Sequence, residues 1–377
     1  MAPGDAVVMD DPDKGMPILA RRPDHSCVFF GGDKKCDLHR LCGFESKPSV
    51  CRDFPYRFRK TPDGVYVGLS FVCPSVRDNK GTPVAEQEEQ LARTMQSAFS
   101  LSEIEGPVLL TSHIEISWAA YVELEKHFHA LLDHAELPLG IRLIACNVLI
   151  NFIDAYFRQL YGEHVPMGEA RPMADKELTE LLRAMRQSEY ADVLRVARKP
   201  VRAARIRRMF LGMITSFGNT LFHKRGRLGV ITAILGQYGR HALGIGGVRL
   251  NPLHRKVSHR QLRDTRFPEE GPAAELLLRY FHHVLFRKDI VYKWEAARGL
   301  NLLLLNAALV QWYAAAEAAQ NDRPTPEYAD WSEGIGHVER LYGFHSKFYQ
   351  FFAEHPVIDE VMESFMVRKN YPFIMLR

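Results

Sequence analysis

The sequence predicts a mainly α fold, in which a small, irregular cysteine-rich module with a short hairpin precedes a multi-helix domain. Three observations support this prediction. Five of the six cysteines fall within residues 27–73, and only Cys146 lies elsewhere. Beyond residue 84, apolar residues recur with a helical period, whereas strand patterns are sparse throughout. With 377 residues, 46% of them hydrophobic, the chain can bury a large core and form two domains.

The N-terminal segment is acidic and rich in proline, and it contains no apolar run of signal-peptide length. We expect a disordered lead-in at 1–20, a cysteine-cluster module at 21–84 and a helical domain at 85–377. Turn-forming residues at 77–85 predict the linker between the last two. No segment contains the roughly 18 uninterrupted apolar residues that a membrane helix needs, so we expect a cytoplasmic protein without a transmembrane segment.

The clustered cysteines predict a metal site in the cysteine module. Thiols stay reduced in the cytoplasm, which disfavours disulfides and leaves metal ligation or unliganded thiols as the alternatives. The spacing is C-x8-C-x5-C-x8-C-x21-C. It lacks the C-x-x-C pair of many structural zinc sites, and widely spaced single cysteines favour an iron–sulfur cluster over zinc.

The residues around the cysteines carry a resemblance. The strings are Ser26-Cys27-Val28-Phe29-Phe30, Lys35-Cys36-Asp37-Leu38-His39, Lys47-Pro48-Ser49-Val50-Cys51-Arg52-Asp53-Phe54-Pro55 and Leu69-Ser70-Phe71-Val72-Cys73-Pro74. This segment resembles the YkgJ-type cysteine-cluster family, whose best-known members are the flagellin lysine N-methylases. The string from Cys51 to Pro55 is the most specific match, and beyond residues 26–74 the chain shares only a general helical character with that family.

The resemblance implies a metal centre bound by Cys27, Cys36, Cys51 and Cys73. It also implies an alternative function, protein lysine N-methylation, with S-adenosylmethionine as the methyl donor. The family usually carries a further C-x-x-C-x-x-x-C-C run upstream, and this chain has no cysteine before Cys27. A structural cluster without the methyl-transfer chemistry is therefore the main expectation. Cys42 lies outside the matched pattern, and we interpret it as a small buried apolar residue, with a substitute ligand as the alternative.

The secondary structure expected along the chain begins with a hairpin around Val65–Leu69, turning at Pro62-Asp63-Gly64. Ser117 is expected to cap the N-terminus of its helix. Apolar patterns predict helices at about 86–99, 117–134, 139–161, 175–198, 200–217, 228–243, 272–288, 290–319, 328–342 and 344–365.

Patterns for known catalytic chemistry are weak, so catalytic residues stay unassigned. The glycines at 244–247 lack the full G-x-G-x-x-G spacing, and we interpret them as a helix terminator and turn. Of His282 and His283, one must face inward, and we expect a structural histidine there. The pair His113 and Glu115 has no partner that the sequence identifies. No Ser-His-Asp or His-Glu-x-x-His constellation is apparent.

Residues 195–263, here called the basic stretch, contain sixteen Lys and Arg and no Asp or Glu, although the net charge of the chain is only +4. One interpretation is that these cations pair with acids elsewhere in the fold. The other is a binding surface for an acidic protein partner or substrate, for nucleic acid or for a membrane surface, in that order of preference. An adaptor stapled by zinc, which docks an acidic partner through this stretch, is the third functional hypothesis.

Overall fold

A computed structural model describes residues 7–10, 17–22, 26–33, 35–96, 98, 101–162, 171–199, 204–221, 236, 239–253, 256–263, 265–346, 348 and 376. The fold is mainly α, which confirms the predicted class. The helices predicted at 228–243 and 344–365 lie for the most part outside the described residues, although residues 239–243 are helical.

The described helices are α1 Asp37–Cys42, α2 Ser49–Asp53, α3 Pro74–Arg77, α4 Glu88–Gln96, α5 Trp118–Leu132, α6 Leu139–Tyr161, α7 Asp175–Gln187, α8 Ala191–Ala197, α9 Ala204–Leu221, α10 His259–Arg263, α11 Pro272–Phe286, α12 Asp289–Tyr292, α13 Ala296–Gln320 and α14 Tyr328–Tyr342. Helices α6 and α14 begin and end where the sequence predicts. The hydroxyl of Ser117 accepts a hydrogen bond from the amide of Ala120 at 3.2 Å, which confirms it as the N-cap of α5.

Two predicted helices are each divided in the structure. The segment 175–198 forms α7 and α8, separated by Glu189 and Tyr190 with left-handed φ values of 49° and 56°. Residues other than glycine seldom adopt this conformation. Because neither residue is a glycine, the sequence gives no signal of the break. The segment 290–319 similarly forms α12 and α13.

The strands are short: β1 Val8–Asp10, β2 Pro17–Leu19, β3 Tyr56–Thr61, β4 Gly64–Leu69, β5 Ser102–Glu103, β6 Val108–Thr111, β7 Ile114–Ile116, β8 Gly247–Arg249 and β9 Lys256–Ser258. The predicted hairpin is confirmed as the antiparallel pair β3 and β4, with Thr61 opposite Gly64 at the turn. Strand β5 adds to β3 in parallel. The remaining strands form two-stranded antiparallel pairs, and they are too short to show an alternating pattern in the sequence.

The chain divides into two compact units. The first unit comprises Met1–Phe54 and Ala85–Leu101, and the second comprises Pro55–Val84 and Ser102–Arg377. The first unit contains β1, β2, α1, α2 and α4. Strands β1 and β2 fall within the segment that the sequence predicts to be a lead-in. The boundary predicted between residues 84 and 85 separates folding domains rather than compact units, so it stays a prediction.

Helix α13 is the central element of the second unit. Almost all its residues are buried, and it packs against α6, α12 and α14. A helix that is apolar on all sides is expected to be surrounded in this way. Close packing at its start requires glycine at position 299, because a Cβ there would lie 1.8 Å from the carbonyl oxygen of Ile290.

Two described helices, α6 and α13, are long and apolar enough to cross a membrane by length and composition alone. Their most apolar windows are 56% and 89% buried inside the protein, respectively. Core helices of soluble proteins pass the same test, so these two helices are weak evidence for membrane insertion.

Candidate functional site

In the first unit, backbone hydrogen bonds tie together the loop that carries Cys27 and Cys36. Cys27 pairs with Arg21, and Cys36 with Phe30, in single antiparallel bridges. The amide of Phe30 donates to the carbonyl of Cys27 at 2.9 Å, and that of Asp37 donates to the carbonyl of Phe29 at 2.8 Å. These bonds bring the ends of the loop back toward each other. Cys36 then occupies the N-cap position of α1, without a hydrogen bond from its side chain to the helix.

Cys51 lies on α2, which starts after Pro48. The carbonyl of Pro48 accepts hydrogen bonds from the amides of Cys51 at 2.9 Å and Arg52 at 3.0 Å. Proline near a helix N-terminus fits because its fixed φ suits the helix and its missing amide is not needed there. The Lys-Pro pair before Cys51 therefore positions this thiol at the start of a helix.

Cys27, Cys36 and Cys51 lie close enough to influence one another electrostatically. Burial raises the pKa of the Cys51 thiol, negative charge on Cys27 and Cys36 raises it further, and the ammonium of Lys47 opposes both. All six cysteines are free thiols. The first unit thus contains three of the four cysteines that the resemblance implies as ligands.

The other cysteines have different surroundings. Cys73 belongs to the second unit, where it caps α3 directly before Pro74. Cys42 ends α1 and is exposed, so the interpretation of Cys42 as a buried apolar residue is wrong. The sequence did not reveal this because α1 is only six residues long and buries none of them. Cys146 is buried in α6, and burial raises the pKa of its thiol well above the usual range.

The first unit contains very little hydrophobic core. Among its described residues, only Ala20, Val28 and Leu91 are buried apolar residues, whereas Leu41, Val50 and Phe54 are 75%, 58% and 49% exposed. Thiols are soft-metal donors, and this unit contains Cys27, Cys36 and Cys51 as free thiols. Within the described ranges, no three His, Cys, Asp or Glu side chains are arranged closely enough to hold a metal ion.

In the basic stretch, two arginines have structural roles. Arg207 is buried and donates to the side chain of Gln311. Arg208 donates to the carbonyls of His241 at 2.9 Å and Ala242 at 3.1 Å. The exposed cations are Arg195, Arg198, Lys199, Arg205, Arg240, Lys256 and Arg260. Arg202, Lys224, Arg225, Arg227 and Arg255 lie outside the described residues.

The interior of the second unit contains an ion cluster that the sequence analysis missed. Arg287 contacts Glu339 at 2.6 Å and Asp289 at 2.7 Å, and Asp289 also contacts Arg59 at 3.0 Å. The adjacent Lys288 pairs with Glu125. One signal in the sequence could have indicated this cluster, because the triplet Arg287-Lys288-Asp289 stands between the apolar segments of α11 and α12.

The adjacent histidines of α11 contact different partners. The Nε2 of His283 accepts a hydrogen bond from the amide of Leu69 at 2.6 Å, and burial lowers the pKa of His283 to about 4. This confirms a structural, inward-facing histidine. His282 stacks on His129, with 2.6 Å between their Nδ1 atoms, and its Nε2 lies 2.9 Å from the carboxylate of Asp133.

The other weak candidates of the sequence were the glycines at 244–247 and the pair His113 and Glu115, and their contacts are those of structural residues. Gly244 and Gly246 have φ values of 69° and 78° after the helical residues 239–243, which confirms the helix terminator and turn. His113 is buried beside Thr111, and Glu115 contacts Arg171 at 3.5 Å.

No protein-family model matches this chain, and neither the curated proteins nor the solved structures include a match. The resemblance of residues 26–74 to the YkgJ-type family therefore rests on the cysteine motifs themselves.

Proposed function

We propose that this chain is a cytoplasmic metalloprotein that holds an iron–sulfur cluster, or alternatively zinc, through Cys27, Cys36, Cys51 and Cys73. One observation carries the proposal: three of these thiols belong to one compact unit that has almost no hydrophobic core of its own, and Cys27 and Cys36 act electrostatically on Cys51. A small unit of this kind needs another source of stability, and a metal centre is a common one. Cys73 as the fourth ligand rests on the motif alone.

Metal binding would change the protonation of Cys51. Cys51 is partly buried and its pKa is raised, so without metal its protonated form is favoured. Cys51 would lose that proton on binding a metal cation, because the thiolate is the form that ligates. A bound centre would supply cross-links between loop residues and, if it is an iron–sulfur cluster, one-electron redox chemistry.

The decisive experiment is anaerobic purification of the full chain, followed by measurement of iron, zinc and acid-labile sulfide per polypeptide. An iron–sulfur cluster predicts iron with matching sulfide and a visible absorption band. Zinc without colour would instead assign a structural staple. Protein that contains neither metal after anaerobic expression in medium supplied with iron and zinc would refute the proposal.

A second candidate function is the docking of an acidic partner through the basic stretch. The observation that favours it is the set of exposed cations at Arg198, Lys199 and Arg205, which lie around the junction of α8 and α9. A surface of one sign attracts oppositely charged partners and accelerates their association. Binding of an acidic peptide that weakens with rising salt tests this candidate, while binding of S-adenosylmethionine would instead favour the lysine N-methylase alternative.

A further inference from the structure

A cavity of about 330 Å³ lies within the first unit, beside the cysteine motif. Its lining residues come from α2, from α4 and from the turn after α1: Phe44, Glu45, Arg52, Gln90, Arg93 and Thr94. Its volume is at the lower end of the roughly 300–1,000 Å³ typical of small-molecule sites. The cavity is therefore of a size for a metabolite and too small for a folded partner.

Arg52, the residue after Cys51, is incompletely satisfied in this cavity. Its side chain is 23% exposed and contacts the carboxylate of Glu45 at 3.0 Å through Nη1. Its Nε is buried and has no hydrogen-bond partner among the described residues. A buried guanidinium N–H without an acceptor is costly, so Glu45 alone does not satisfy the guanidinium of Arg52 completely.

The carboxylate that pairs with Arg52 is held weakly. The side chain of Glu45 is 85% exposed, and it makes a single contact with the guanidinium. Exposed ion pairs of this kind contribute only about 0–1 kcal/mol, so a ligand can displace Glu45 at little cost.

A second guanidinium lines the same cavity. Arg93 on α4 is 72% exposed, and its ion contact with Glu89 is long at 3.7 Å. The ammonium of Lys47 adds positive charge nearby, since it lies 5.4 Å from the centre of the Phe44 ring. Arginine presents its N–H groups as a planar fork that matches the oxygens of carboxylates and phosphates.

We propose that this cavity binds a small organic acid, whose carboxylate or phosphate group lies between Arg52 and Arg93. The ring of Phe44 gives the cavity an apolar wall for the body of the ligand. In the bound state, the anionic group takes the place of Glu45 at Nη1 of Arg52.

The test is calorimetric titration of the full chain at low ionic strength with three probes: inorganic phosphate, succinate and the neutral succinamide. Saturable binding of phosphate or succinate supports the proposal, and the tighter of the two identifies the anionic group. Solvent screening weakens the interaction of an exposed arginine with an anion, so Arg93→Gln should weaken binding by roughly threefold to tenfold. Glu45→Gln removes the competing carboxylate and should strengthen binding by about threefold, consistent with a weak exposed pair.

The matched control is Arg40→Gln, which removes the same charge from an arginine of the first unit that is 61% exposed and pairs with Asp37 outside the cavity. It should leave affinity within about twofold, as expected for a screened surface charge. Because neither Arg93 nor Glu45 is buried, these variants test the cavity without removing core contacts, and circular dichroism verifies their fold. The proposal is overturned if neither anion binds, if succinamide binds as well as succinate, or if Arg40→Gln weakens binding as much as Arg93→Gln.

Discussion

Arg287 and Glu339 form a buried ion pair, with Nη1 and Oε1 2.6 Å apart and side chains only 2% and 1% exposed. The same guanidinium nitrogen donates to the carbonyl of Leu69 at 2.9 Å, so this pair links α11 and α14 to the end of β4. Burial alone would raise the pKa of Glu339, but its attraction to Arg287 outweighs burial and lowers the pKa to about 2.

Replacing Glu339 by Gln should destabilise the second unit by about 3–5 kcal/mol, because it leaves a buried guanidinium with incomplete charge compensation. The free energy of unfolding in urea at neutral pH measures the change. The control Glu123→Gln removes the partner of Lys126 from a pair whose side chains are 40% and 64% exposed, and it should cost at most about 1 kcal/mol. Equal effects of the two substitutions would contradict the buried pair.

The same pair predicts a pH dependence. The folded pKa of Glu339, about 2, is below its unfolded value near 4.5, so the stabilisation is complete above the unfolded value and is lost as pH falls toward 2. Between these values the slope of stability against pH should be smaller in Glu339→Gln than in the wild type. Unchanged acid sensitivity in the variant would show that other carboxylates control this range.

His283 should contribute to acid sensitivity at a higher pH. Its Nε2 accepts a hydrogen bond from the amide of Leu69, so protonation at that nitrogen breaks the bond and places a cation beside Arg287. With a folded pKa of about 4 and an unfolded value near 6.5, its contribution is complete above 6.5 and decreases as pH falls toward 4. Asp289 and Glu339 oppose this effect but do not cancel it.

The substitution His283→Gln tests this prediction, because a glutamine oxygen can still accept from Leu69 but does not titrate. The stability of the variant should change less between pH 6.5 and 4 than that of the wild type, by on the order of 3 kcal/mol at most. Burial also lowers the pKa values of His345 and His241 to about 4. The variant should therefore retain part of the dependence of stability on pH. The exposed control His39→Gln should retain the wild-type profile.

Local chemistry explains which parts of this fold the sequence predicts. Helix α6 starts directly after Pro138 and ends directly before Gly162, and both residues mark its boundaries in the sequence. The break before α8 is invisible because Glu189 and Tyr190 carry the turn without glycine. Arg287 and Glu339 are 52 positions apart, and no local pattern pairs residues at such a distance.

The candidate site was predictable to a similar extent. The cysteine strings identified the residues, but only the fold shows that Cys27, Cys36 and Cys51 share one compact unit while Cys73 belongs to the other. The cavity beside Arg52 was not predictable, because α4 follows α2 only after a segment that belongs to the second unit.

Serine substitution should distinguish ligands from the other cysteines. Cys27→Ser, Cys36→Ser, Cys51→Ser and Cys73→Ser should each reduce bound metal strongly, because a hydroxyl is a poor replacement for a thiolate toward a soft metal. Cys42→Ser is the matched control, since Cys42 is an exposed cysteine of the same unit outside the motif. Metal analysis per polypeptide measures the result. Full metal content in Cys51→Ser would refute the ligand assignment, and loss in Cys42→Ser would add Cys42 to the ligands.

Metal removal should unfold the first unit and spare the second. The first unit has few buried apolar residues, whereas the second contains the extended core around α13. Binding of a structural metal can contribute on the order of 10 kcal/mol when the metal is zinc. After chelation, hydrogen exchange should accelerate in α1 and α2 and remain slow in α6 and α13. Unchanged exchange in α1 and α2 of the metal-free protein would rule out a structural role for the metal.

The exposed part of the basic stretch should control binding to polyanions. Arg198, Lys199 and Arg205 are exposed, whereas Arg208 is excluded from the test because it donates to two backbone carbonyls. For binding to single-stranded nucleic acid, each neutralised phosphate contributes about 0.7 to the slope of log affinity against log salt. Reversing the three residues to Glu should therefore weaken binding of polyglutamate or single-stranded RNA and reduce its salt dependence.

The matched control reverses Arg40, Lys60 and Lys126, which are 61%, 57% and 64% exposed and lie outside the basic stretch. Both triple variants change the net charge equally, so a difference between them isolates the contribution of position. If the wild type binds polyglutamate more tightly than RNA, an acidic protein partner is favoured over nucleic acid. Equal weakening by the two variants would show that only net charge matters, and an affinity that ignores salt would exclude the basic stretch as a polyanion surface.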